Sequence, residues 1–124
     1  MREILAQYHQ LGLDERRVLD RVARAIYGTE EERPFPFVLA RLDDEEKRVL
    51  GRVVARVLAG REVYGELRLV LDKRAFGDEL RAELADAAFY AGAALERGDL
   101  AGALLRRIAL LALDTERVGE AVRR

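Results

Sequence analysis

Apolar positions recur along this chain mostly at spacings of three and four, the period of a helix packed along one face. In "MREILAQYHQLG", Ile4, Leu5, Tyr8 and Leu11 form one stripe and Gly12 stops it. Asp14 is placed to cap "DERRVLDRVARAIYG", whose Val18, Leu19, Val22 and Ile26 face one way before Gly28. "TEEERPFPF" predicts a solvated loop anchored by Phe35 and Phe37, because Pro34 and Pro36 exclude a helix interior. Pro36 can open a short turn through Leu39. In "LDDEEKRVLGRVVARVLAG" the Asp43–Glu46 spacing predicts a capping box, Val49, Val53, Val54 and Val57 a core stripe, and Gly60 a stop. "REVYGELRLVLDKRAFG" reads equally as helix, short strand or structured loop. A long helix follows over about 78–97, ended by Gly98. Asp99 then caps "LAGALLRRIALLAL", and Asp114 or Thr115 starts a short final helix.

The pattern predicts one all-α domain over residues 1–124, a bundle of about five to seven helices. "LAGALLRRIALLAL" is apolar all round, so it is expected to be central or to lie in a subunit interface; a homodimer follows from the second alternative.

Composition narrows the chemistry. The 22 basic and 23 acidic side chains leave a formal charge of −1, with no basic stripe to mark a nucleic-acid or anionic-membrane partner. No apolar run reaches a membrane span and the first ten residues are no signal peptide, so a cytoplasmic location is expected. Cysteine, serine and asparagine are absent and His9 is the only histidine, which excludes thiolate chemistry and a Ser-His-Asp triad. His9 reads as a surface or interface residue, and the tyrosines as core-edge residues whose hydroxyls reach water. Positive charge is nearly all arginine, a bias in keeping with a thermophilic, GC-rich source. What remains for catalysis is carboxylates, arginines, tyrosines and a hard metal ion.

One stretch concentrates those carboxylates. In "DELRAELADAAFY", Glu79, Glu83, Asp86 and Tyr90 fall within a narrow arc of one helix face, at about 100° per residue. Leu80, Leu84 and Ala87 flank the arc on one side, and Ala82, Ala85 and Phe89 on the other. Carboxylates that interrupt an apolar surface repel one another and call for a positive partner. Arginines from a neighbouring helix are one candidate. Mg²⁺ or Mn²⁺, which take oxygen ligands and keep several waters, are the other.

"YGELRLVLDKRAFGDELRAELADAAFY" resembles a segment of the MazG-like all-α nucleoside triphosphate pyrophosphohydrolases. In that family an E-x-x-E pair on one helix and E-x-x-D on a later one bind Mg²⁺, which holds the triphosphate and helps activate water. The second pair is present as Glu83 and Asp86, followed by Phe89 and Tyr90. The nearest match to the first is Glu62 and Glu66, spaced by four with Gly65 between them, and sixteen residues separate Glu66 from Glu83. The resemblance implies a metal set of Glu62, Glu66, Glu83 and Asp86, with Glu79 as an additional ligand. Lys73 and Arg74 are then the candidates for holding phosphate oxygens; without the resemblance "DKR" is a solvated turn. It implies release of pyrophosphate from a (d)NTP, and no general acid or base is assigned. The competing reading is a non-catalytic dimerisation or protein-interaction module whose acidic stripe is salt-bridged to arginines.

Overall fold

The computed structural model describes residues 2–123, with side chains through Val118, and every regular element among them is a helix. α1 spans Arg2–His9, α2 Leu13–Tyr27, α3 Phe35–Arg41, α4 Asp44–Tyr64, α5 Phe76–Glu96 and α6 Gly102–Arg123. The chain divides into two compact units, Met1–Asp72 and Lys73–Arg124.

In the first unit, local chemistry sets most of the boundaries. Gly28 ends α2 in the left-handed region at φ 90°, and its N–H donates to the Arg24 carbonyl at 2.8 Å. Pro34 precedes α3 and Pro36 lies in its first turn, where a missing N–H costs no helical bond. Asp43 caps α4 reciprocally: its carboxylate accepts from the Glu46 N–H at 2.8 Å, and the Glu46 carboxylate accepts from the Asp43 N–H at 2.9 Å. The helices close over Leu19 and Ala23 of α2, Phe35, Val38 and Leu39 of α3, and Leu50 and Val54 of α4, with Tyr8, Leu11 and Leu42 at the edges. Tyr8 stacks on Phe35 with ring centroids 4.0 Å apart and planes 3° from parallel.

Several expectations are corrected here. α2 starts from Gly12, not from an Asp14 cap, because the Glu15 carboxylate takes the Gly12 N–H at 2.8 Å. Asp14 instead accepts from the Leu69 N–H at 2.8 Å. The core side of α4 runs through Leu50 and Val54, while Val49 is half exposed; on α2 Leu19 is buried and Val18 turns outward. Gly60 does not stop α4, which continues to Tyr64 and ends at Gly65 with φ 76°. Arg61 explains the extra turn: its Nη1 donates to the Gln10 carbonyl at 2.7 Å and its Nε lies 3.2 Å from the Glu15 carboxylate. "LRLVL" is neither strand nor helix. It turns back on itself, with the N–H groups of Leu71 and Asp72 both bonded to the Arg68 carbonyl.

The second unit is a helical hairpin. α5 begins at Phe76, two residues before the expected start, and Gly98 at φ 80° follows its end. α6 begins at Gly102 rather than just after Asp99 and runs unbroken past Thr115, so no separate final helix exists. The Thr115 hydroxyl donates to the Leu111 carbonyl at 2.8 Å, absorbing the polar group that suggested a break. The two helices run antiparallel: Arg81 near the start of α5 faces Glu116 towards the end of α6 at 3.9 Å. Among the described residues of the hairpin only Ala91 is buried, at 6% exposure. α6 is not central. Leu104, Leu110, Leu111, Leu113 and Val118 are all exposed, which leaves the interface alternative standing.

Candidate functional site

The acidic arc forms on α5 as helical spacing requires. Glu79, Glu83 and Asp86 are exposed, and Tyr90 continues their line at 70% exposure beside Phe89 at 73%. Arg81, the one arginine within α5, projects from the opposite side of the helix. Arg81 is largely sequestered, pairs with Asp78 three residues back and reaches Glu116 on α6. Among the described residues no ion pair reaches Glu79, Glu83 or Asp86.

Several carboxylates of the first unit are committed. Glu15 is only 2% exposed and works as a clamp: besides Gly12 and Arg61, it receives the Leu67 N–H at 3.4 Å. Three donors around one buried carboxylate satisfy the lone pairs that burial would otherwise leave unpaired. Asp20 accepts the Tyr8 hydroxyl at 2.8 Å. Burial first, then that hydrogen bond and the charge of Asp20, push the Tyr8 hydroxyl up to about 12. Tyr8 therefore does not reach water as expected; its hydroxyl is held by a carboxylate inside the first unit.

Glu62 lies exposed on the last turn of α4, and Glu66 follows Gly65 in the connecting loop. Glu66 sits 3.8 Å from Arg68, with its carboxylate against Gly12, where any Cβ would collide with it. Both belong to the first unit, while Glu79, Glu83 and Asp86 belong to the second. Within either unit, no three Asp, Glu or His side chains among the described residues gather as a cation's ligand set. Lys73 is exposed in the loop before α5, and the Arg74 guanidinium lies 5.0 Å from the centre of the Phe76 ring. His9 is an exposed residue lying edge-on to Tyr8.

Two features escaped the sequence reading. The Glu15 clamp has a legible trace in the Gly12–Glu15 spacing, which is that of a capping box with glycine at the cap. The other is an open cleft of about 630 Å³ between α2 and the loop before α3, lined by Arg17, Arg21, Arg24 and Arg33 with Asp20 and Glu32 among them. Its trace is the spacing of Arg17, Arg21 and Arg24, which puts the three on one face of α2. No helix among the described residues is long and apolar enough to cross a membrane. No known family, curated protein or solved structure matches the chain.

Proposed function

We propose that this chain is a Mg²⁺-dependent nucleoside triphosphate pyrophosphohydrolase, acting on (d)NTPs in the cytoplasm, with Glu83 and Asp86 of α5 as its metal-holding pair. The observation that carries the reading is that these two carboxylates, one turn apart and exposed, have no cation among the described residues against them, while Glu15, Asp43 and Glu46 are all satisfied. The donor set fits the ion. Mg²⁺ commonly takes one or two carboxylates and fills its octahedron with water and substrate phosphates, so one helix can supply the protein's share. Mn²⁺ suits the same oxygens.

In this reading Glu79 extends the acidic arc, Glu62 and Glu66 are the second source of carboxylates, and Lys73 and Arg74 meet phosphate oxygens. The ion would neutralise the phosphates and lower the pKa of a water for attack between the α- and β-phosphates. Carboxylates held on a helix need no rearrangement to receive the cation.

Thermal unfolding with and without Mg²⁺ or Mn²⁺, on the wild type and on Glu83→Gln/Asp86→Asn, tests this without choosing a substrate. Metal at about a hundred times its Kd adds roughly 2.7 kcal/mol to the folded state. The expected outcome is an upward shift in the wild type that the double variant lacks, followed by pyrophosphate release from NTPs or dNTPs. No shift refutes the metal reading. It favours a non-catalytic interaction module, for which the exposed leucines of α6 speak.

A further inference from the structure

The cleft of the first unit gathers positive charge that the unit does not match. Arg17, Arg21 and Arg24 line it from α2, and Arg33 and Pro34 line it from the loop before α3. Every residue that lines it belongs to the first unit. A second cleft of about 540 Å³, which reaches Gly28 and Thr29, shares Arg21 and Arg24 with the first.

Folding does not account for the three arginines of α2. Asp20 lies three residues after Arg17 and four before Arg24, spacings at which ion pairs form on a helix. Neither pair is made. The Asp20 carboxylate accepts the Tyr8 hydroxyl instead, at 2.8 Å. Among the described residues no ion pair reaches Arg17, Arg21 or Arg24. Arg17 and Arg21 are four residues apart, and Arg21 and Arg24 three, so their like charges oppose helix formation. An anion held between the guanidinium groups removes that repulsion.

The loop wall is built in advance. The Glu31 N–H donates to the Thr29 hydroxyl oxygen at 3.1 Å, and Arg33 Nη2 donates to the Glu31 carboxylate at 2.6 Å. The Arg33 guanidinium also lies 5.5 Å from the centre of the Phe37 ring. A guanidinium carries several N–H groups, so Arg33 keeps donors after that pairing, and Thr29 keeps its hydroxyl proton.

We propose that this arginine face of α2 binds a phosphate chain, two or more linked phosphoryl groups, without a metal ion. Seven residues of helix rise about 10 Å between Arg17 and Arg24, a span that suits linked phosphoryl groups better than a single oxyanion. Phosphate oxygens are arranged tetrahedrally and accept from donors on both walls, and the guanidinium fork matches them two bonds at a time. A carboxylate offers its oxygens in one plane only. Of the two acids lining the cleft, Asp20 is engaged by Tyr8, and Glu32 is an acceptor for hydroxyl or amino groups of a ligand. Two sources carry this chemistry: free inorganic polyphosphate, and the phosphate chain of a nucleotide. The site shares no residue with the acidic arc of α5 and does not rest on the metal reading.

The test is isothermal titration calorimetry of the full chain in EDTA, with inorganic triphosphate and with ATP as probes. Triphosphate is expected to bind the wild type. Arg21→Gln and Arg17→Gln/Arg24→Gln are each expected to weaken binding at least tenfold with helical circular dichroism retained. Arg52→Gln, which removes the same charge from an exposed position of α4, is expected to bind as the wild type does. ATP binding more tightly than triphosphate identifies the nucleotide source, and equal or weaker binding identifies free polyphosphate; either supports the site. A wild type that binds neither probe, α2 variants that bind undiminished, or an Arg52→Gln that loses as much as they do overturns the proposal. If one α2 variant unfolds, the other decides. The titration contains no free divalent ion, so its outcome is independent of a metal-induced melting shift and the two proposals fail separately.

Discussion

The four-helix unit and the hairpin use the same residue types to opposite ends. In the first unit Phe35, Leu19, Leu39, Leu50 and Val54 are out of water, and Glu15, Asp14 and Asp20 each hold a named donor. In the hairpin Leu80, Leu111 and Val118 are exposed, and among the described residues no ion pair reaches Glu79, Glu83 or Asp86. A carboxylate that clamps a loop to a helix end is consumed by folding. One that stands free on an alanine-rich helix remains available to a ligand. The difference teaches where function is to be sought: Glu15, Asp14 and Asp20 are used in holding the first unit together, whereas the arc on α5 is not used in holding the hairpin together.

The comparison breaks most visibly at aromatic rings. Phe35→Ala removes a ring that is 2% exposed and stacked on Tyr8, and is expected to cost the first unit about 3–5 kcal/mol. Phe89→Ala, on a ring that is 73% exposed, should change stability by no more than about 0.5 kcal/mol. Urea unfolding followed by helical circular dichroism measures both. Similar losses would mean that the hairpin has a core after all.

Carboxylates sharpen it next. Glu15→Ala strands the Arg61 guanidinium and the N–H groups of Gly12 and Leu67, and is expected to cost about 3 kcal/mol in the same urea titration. Without metal, Glu83→Gln/Asp86→Asn should leave stability unchanged or slightly raised, because it removes like charges on adjacent turns. A large loss in the double variant would show that these acids are structural.

The smallest effect is a pH dependence. The Tyr8 hydroxyl is raised above its ordinary value of 10.0 to about 12, so the folded state prefers it protonated. The sign follows: its contribution is complete below pH 10 and is lost as the pH rises from 10 towards 12. Tyr8→Phe should flatten that part of the stability curve and cost about 1 kcal/mol at neutral pH, the worth of one hydrogen bond. A wild-type curve with the same slope as the variant would rule out the Tyr8–Asp20 bond.

Much of this was legible in the chain because it depends on near neighbours. The Asp43–Glu46 box, the glycine at 28, the prolines at 34 and 36 and the acidic arc of α5 are all decided within about one or two turns of backbone. Such features follow from dihedral preference and spacing, which the sequence states directly. Tertiary structure decided what depends on distant partners. It chose Leu50 over Val49 and Leu19 over Val18, since a helix's buried face is set by what lies against it. It carried α4 past Gly60, because Arg61 finds its acceptors on the carbonyl of Gln10 and on Glu15. It also limited what α5 alone covers: an apolar helix states that it needs a partner, while the packed hairpin shows that α5 leaves Leu111 and Val118 of α6 exposed.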